Sequence, residues 1–124
     1  MEHVVETGTR IPRPSNVDEV VEALRDGEAV LDLSGFDAIH VDAARRSVRL
    51  RPGAAEADVA AAAARHGLVV GDLVSVEVVT VDGRIVRASE RENAELFAAT
   101  RRGDPVGVVT GLEHRLEPWP TEEL

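Results

Sequence analysis

The stretch Val78-Val79-Thr80-Val81-Asp82-Gly83-Arg84-Ile85-Val86-Arg87-Ala88 decides the fold. Two β-branched runs, Ser75 to Val81 and Arg84 to Ala88, flank Asp82-Gly83, and this pattern predicts a two-residue hairpin with backbone at positive φ. Upstream, Ala54 to His66 is an alanine-rich helix with Gly67 placed to end it. Before Pro52-Gly53, Ile39, Val41, Val48 and Leu50 alternate with His40, Asp42, Arg49 and Arg51 around Ala43-Ala44-Arg45-Arg46. Period-2 alternation of this kind predicts an antiparallel hairpin with one wet, charged face. Further out, Ala29 to Leu33 reads as a short apolar strand closed by Ser34-Gly35. Ser15-Asn16-Val17-Asp18 reads as a helix cap with an acid at the third helical position. The helix behind it carries the stripe Val17, Val20, Val21 and Leu24 and stops at Asp26-Gly27.

Downstream, Glu90 to Arg102 reads as a third helix, with acids early, Arg101-Arg102 late and Gly103 after it, as the helix dipole favours. Val106 to Val109 is a strand continuing through Leu112 to Leu116, and Pro118, Pro120 and the acidic end read as frayed. The fold class is α+β, about three helices packed on a mostly antiparallel sheet. Residues 1–13 form a lead-in, 14–118 a single module and 119–124 a tail.

A chain of 124 residues suits one such core. With 44 % hydrophobic residues but only Phe36, Phe97 and Trp119 aromatic, that core is aliphatic. Fourteen basic residues, all arginine, stand against 23 acidic ones for a formal charge of −9, which repels nucleic acid and anionic membrane surfaces. The lack of cysteine removes disulfides, thiolate nucleophiles and Cys-bound metals. Met1-Glu2-His3 lacks the start of a signal peptide, and a cytoplasmic location is expected.

Taken in order, Leu31-Asp32-Leu33-Ser34, Ile39-His40-Val41-Asp42, Arg51-Pro52-Gly53-Ala54, His66-Gly67-Leu68, Val78-Val79-Thr80-Val81-Asp82-Gly83, Glu95-Leu96-Phe97-Ala98 and Gly107-Val108-Val109-Thr110 form a series. The series resembles the FAD-binding domain of FAD-linked oxidases of the berberine-bridge and vanillyl-alcohol-oxidase type, from about Pro14 to Pro118. That resemblance implies two glycine-rich loops, one cradling the FAD pyrophosphate and one lining the flavin ring. The first is expected between helix 1 and the Leu31 strand, where only Gly27-Glu28-Ala29-Val30 stands. The second is expected after His66-Gly67-Leu68, where Val69-Val70-Gly71 bridges straight to Asp72. The expectation is likewise that the family's substrate domain has no counterpart. A pyrophosphate needs several convergent backbone donors or a helix N-terminus. The expectation is therefore a shortened FAD-binding domain that is not an autonomous flavin oxidase and binds no cofactor. It would serve as a binding, accessory or cofactor-independent biosynthetic protein, and cofactor-independent catalysis stays open. The alternative is a flavoprotein oxidoreductase holding FAD across a dimer. In that case the resemblance assigns Gly107, Val108, Val109 and Thr110 to the cofactor, with Pro105-Val106 in place of the family's usual N-F pair.

Candidate catalytic residues are His40 and Asp42, two apart on one strand face, and Asp72, which matches an aspartate just after the second loop. For His40 the plainer reading is a solvent-facing strand histidine. His66 suits a helix C-terminus as a cation, and His3, His40, His66 and His114 show no metal-ligand spacing, so no metal is expected. Arg45, Arg46, Arg49 and Arg51 either hold a carboxylate or phosphate or form a solvated edge. Arg101-Arg102 complement a helix dipole, although the family's turn there approaches the cofactor. Glu90, Glu92 and Glu95 read as a wet helix face, and Trp119 as a docking anchor or a ring folded onto its own core. Removing loops and a covering domain is expected to uncover apolar surface, hence a homodimer or protein partner, and a small-molecule ligand in the vacated cleft.

Overall fold

The computed structural model describes residues 11–120, so most of the lead-in and the last four residues lie outside it. The Thr80–Arg84 turn joins two long runs of hydrogen-bonded chain. Thr80 accepts from the Gly83 N–H and donates its own N–H to the Arg84 carbonyl, both at 2.8 Å. Gly83 alone in this turn has positive φ, +86°. The connection is therefore a three-residue loop closed by one left-handed glycine rather than the expected two-residue turn. The Thr80 hydroxyl donates to Asp82, whose other oxygen takes Arg84 Nε at 3.0 Å.

From this turn the sheet builds outward. Strands β1 (Ile39–Asp42), β2 (Ser47–Leu50), β3 (Leu68–Val79), β4 (Ile85–Ser89) and β5 (Val108–Pro118) lie in the order β1-β2-β5-β3-β4, every pairing antiparallel. Helices α1 (Val17–Arg25), α2 (Glu56–Ala64) and α3 (Ala94–Arg102) pack on it. The α+β expectation, three helices on an antiparallel sheet, is what the chain adopts.

Alternation of side chains along the strands fixes which face each helix covers. Val59 and Ala63 of α2 pack on Val48 and Leu116. Phe97 of α3 packs on Val76, Val78 and Ala88 of the same face. Val79 and Val108, one residue on from Val78 and Val109 and paired with each other, point the opposite way. They meet Val20 of α1 together with Phe36, Leu31 and Leu33. Two helices thus cover one face, whereas α1 and the Leu31–Phe36 segment cover only the end of the other face nearest the Thr80–Arg84 turn.

Several boundaries differ from the expectation. The α1 cap is Asn16, accepting from the Glu19 N–H at 2.9 Å, while Glu19 Oε1 takes the Ser15 N–H at 2.8 Å. The capping box is thus displaced by one residue. Among the described residues Ala29–Leu33 joins no sheet; the Asp32 N–H donates to the Pro12 carbonyl at 2.8 Å, and one such bond makes no ladder. The Ala54–His66 helix begins only at Glu56, and the one expected from Glu90 begins at Ala94. Ser89 Oγ takes the Arg91 and Glu92 N–H groups and holds the preceding residues in a turn. Val69-Val70-Gly71, expected as a bridge, is strand: β3 starts at Leu68 and pairs with Leu116, Glu117 and Pro118. Pro118 is accordingly not frayed, and the Trp119 N–H donates to the Gly67 carbonyl at 2.9 Å while the residue as a whole stays 58 % exposed.

Candidate functional site

The uncovered part of the second sheet face forms a trough of about 550 Å³. Strand register dictates its floor, because residues opposite one another in antiparallel strands share a face. One row crosses the sheet as His40, Arg49, Glu113, Ser75 and Ser89. The next crosses as Gly111, Glu77 and Arg87, with Arg51 entering from beyond the end of β2. The period-2 pattern that placed apolar residues in the core thus placed alternating charges here.

Two clamps order this floor. Glu77 Oε1 accepts from Arg51 Nη1 at 3.0 Å and from the Thr110 hydroxyl at 2.8 Å, and the same Arg51 Nη1 reaches the Thr110 carbonyl at 2.9 Å. The Arg51 guanidinium lies 5.1 Å from the Phe36 ring centroid, a cation–π contact that ties the clamp to the α1 core. Glu113 Oε1 accepts from Ser75 Oγ at 2.8 Å and from Arg87 Nη2 at 3.3 Å. Three guanidiniums, those of Arg49, Arg51 and Arg87, face two carboxylates, so the trough carries a net positive charge on a chain of −9. Gly111 keeps the floor low, since a Cβ there would lie 3.2 Å from Glu77 Cβ.

The structure does not gather the expected catalytic residues. His40 lines the trough. Asp42 shares its strand face but Oδ1 takes the Arg45 N–H at 3.1 Å and closes the hairpin turn. Asp72 lies elsewhere, highly exposed, 3.8 Å from Arg115 in a second depression of about 440 Å³ shared with Ser89, Arg91 and Arg101. The functional group that sequence reading missed is the Glu77–Arg51–Thr110 clamp; its signal was the alternation of Ser75 and Glu77 with Val76 and Val78, legible as a wet face but not as a pairing. Among the described residues no three His, Asp or Glu side chains gather as a metal site, and no buried side-chain polar atom lacks a partner. Of the exposed large apolar side chains (Ile11, Val30, Val70, Val81, Ile85, Trp119), Ile85 lines the trough, whose floor is otherwise mainly charged.

No family model matches the chain. It is 28 % identical to the (R)-6-hydroxynicotine oxidase of Paenarthrobacter nicotinovorans over 133 residues, 82 % of this chain and 29 % of that one. It is 33 % identical to the FAD-linked oxidoreductase pgmH of Aspergillus terreus over 93 residues, 74 % of this chain and 17 % of that one. Among solved structures, 6-hydroxy-D-nicotine oxidase from Arthrobacter nicotinovorans superposes with a TM-score of 0.80 at 23 % identity, covering 87 % of this chain and 36 % of that chain. Chitooligosaccharide oxidase gives 0.76 at 17 % identity, over 84 % and 34 %. The chain's relatives are FAD-linked oxidoreductases, and its structure is a fragment of the FAD-linked oxidase fold. The chain spans under a third of the length of the curated relatives it matches. The Paenarthrobacter alignment counts more residues than this whole chain has while spanning 82 % of it, so that relative carries insertions relative to this domain.

The relatives imply FAD, and the donor set decides whether the described residues of this fragment of the FAD-linked oxidase fold fit its pyrophosphate. At the first loop position, the Gly27 and Glu28 N–H groups donate to Leu24 and Ala23 and close the end of α1. At the second, Val69 and Val70 pair with Glu117 and Leu116, and His114 Nδ1 donates to the Gly71 carbonyl at 3.0 Å. Val108 and Val109 pair with Val79 and Val78, and the Thr110 hydroxyl is spent on Glu77. Gly107, at φ +131°, presses on its own chain: a Cβ would stand 2.3 Å from the Val79 carbonyl oxygen. At both positions the chain is thus built into a helix end and into strand pairings rather than into a glycine-rich turn of convergent N–H groups, and the described residues do not fit a pyrophosphate cradle. No helix of the described residues is long and apolar enough to cross a membrane.

Proposed function

We propose that this fragment of the FAD-linked oxidase fold acts without flavin, as a module that binds a small molecule on its open sheet face in the service of a biosynthetic protein. The supporting observation is the contrast between the two places where a ligand is expected. The Gly27 and Glu28 donors close the α1 terminus and Leu68–Val70 pair with β5, while the trough presents ordered charge to solvent. Small-molecule sites are concave and carry a few polar groups fixed in advance, and the Glu77 and Glu113 clamps supply them. Association with a second copy or a protein partner belongs to the same proposal, and a partner seated on this face meets mainly charge, with Ile85 at its edge.

The test is a visible absorption spectrum of the purified protein after incubation with FAD and passage over a sizing column. The expected result is a colourless protein with free FAD eluting separately. Flavin co-eluting in stoichiometric amount overturns the reading and assigns FAD to this chain, with the elution volume reporting whether two copies share it.

A further inference from the structure

We infer that the trough recognises a small hydroxycarboxylate, with Arg49 holding the carboxylate group and the outer oxygens of Glu77 and Glu113 accepting from hydroxyls. The inference rests on the trough being a ligand site and adds the chemical class of its occupant.

Arg49 is distinguished from its neighbours by what it does not do. Arg51 and Arg87 are each committed to a glutamate, at 3.0 and 3.3 Å, whereas Arg49 makes no ion pair and no side-chain hydrogen bond among the described residues. It stands in register between His40 and Glu113, on the trough wall, with its planar fork of donors available. A guanidinium matches a carboxylate with two parallel hydrogen bonds. A monoanion suits the position better than a doubly charged phosphate, because Arg49 is the one trough guanidinium without a carboxylate partner among the described residues and balances a single negative charge.

The glutamates set the rest of the ligand. Both accept every described hydrogen bond through Oε1, leaving each Oε2 without a donor among the described residues. Each carboxylate charge is already balanced by its own arginine. The free oxygens therefore call for neutral donors, and hydroxyls rather than ammonium groups meet that requirement. Gly111 leaves room above the floor between them, and a volume of about 550 Å³ accommodates a short polyhydroxy chain.

Gluconate is the probe, with acetate, glucose and inorganic phosphate as comparisons, each titrated into the 15N-labelled protein and followed by amide chemical shifts. Gluconate is expected to move the amides of 47–51 and 111–113 and to bind at least about tenfold tighter than acetate or glucose, each of which supplies half of the contacts. Arg49→Gln, on an exposed side chain, is expected to lower gluconate affinity about tenfold or more with an otherwise unchanged spectrum, while Arg45→Gln in the neighbouring turn leaves it intact. Phosphate binding as tightly as gluconate, shifts spread over the other arginines, or full affinity in Arg49→Gln overturns the assignment. FAD titrated in parallel separates the two readings. FAD binding overturns the flavin-free function, whereas silence from both FAD and gluconate overturns the hydroxycarboxylate site alone.

Discussion

The Thr110 hydroxyl donates to the Glu77 carboxylate at 2.8 Å from a position with no solvent exposure. Register explains how it gets there. Glu77 pairs with Gly111 and Val78 with Val109, so Thr110 is the extra residue of a bulge in β5. The residue that family resemblance assigns to a cofactor is here the inner half of a clamp that orders the trough. Thr110→Val keeps the side-chain volume and leaves Glu77 with Arg51 alone. Since Glu77 is partly exposed, the expected cost is about 1–2 kcal/mol, at or below the usual figure for a hydrogen bond to a charged group. Urea denaturation measures it, and an unchanged midpoint would show that the clamp carries no stability.

Gly107→Ala is expected to be far more damaging. The substitution imposes a side chain at φ +131° and a Cβ 2.3 Å from the Val79 carbonyl oxygen and 3.0 Å from Thr80 Cα, all backbone that cannot swing aside. Strain plus displacement of the β3–β5 pairing is expected to cost about 3 kcal/mol or more. Thermal unfolding is the check; a variant melting with the parent would mean that β5 enters the sheet differently.

Sequence reading reached most of this architecture because its strongest signals are local. Alternation at Ile39–Asp42 and Ser47–Leu50 gave strands and faces together, and the Val17–Leu24 stripe gave the buried side of α1. What it missed depends on pairing. Ala29–Leu33 has the composition of a strand, yet its backbone bonds in the described residues are one to Pro12 and one turn bond from Phe36. Leu68–Gly71 lacks a clean alternation, but Leu116–Pro118 supplies a ladder for it. The charged face was legible at His40 and Arg49, whereas the joining of Arg51 to Glu77 and of Ser75 to Glu113 requires strand order, which no single segment encodes.

Acid is expected to weaken the two turns held by Asp82 and Asp32. Asp82 is held below the ordinary carboxylate value of 3.8 chiefly by the Thr80 hydroxyl and also by Arg84; Asp32 is lowered by the Ser34 hydroxyl and N–H and then by Arg13. A depressed native pKa means that the unfolded state takes up protons first as pH falls, so this stability is complete above 3.8 and is lost as pH drops through the lower native value. The stability gap between the parent and Asp82→Asn is therefore expected to be constant at neutral pH and to narrow below 3.8. Denaturation midpoints across an acid series measure it, and a gap that widens on acidification would contradict the assignment.

The passage of β3 through the position expected for the second glycine-rich loop makes a prediction independent of any ligand. If Leu68–Gly71 is strand, its inward amides are bonded to Leu116–Pro118 and open only with the sheet, beside the fully buried Leu116. Hydrogen exchange should then show alternate slow amides from Leu68 to Gly71, with protection comparable to that of Val76 and Val78. Leu116→Ala empties the core beneath this segment at a cost of about 2–5 kcal/mol and should speed exchange in both stretches together. Fast exchange confined to Leu68–Gly71 in the parent protein would mean that the segment is a loop after all. Its backbone donors would then be free, and the case against a pyrophosphate there would fall with the strand.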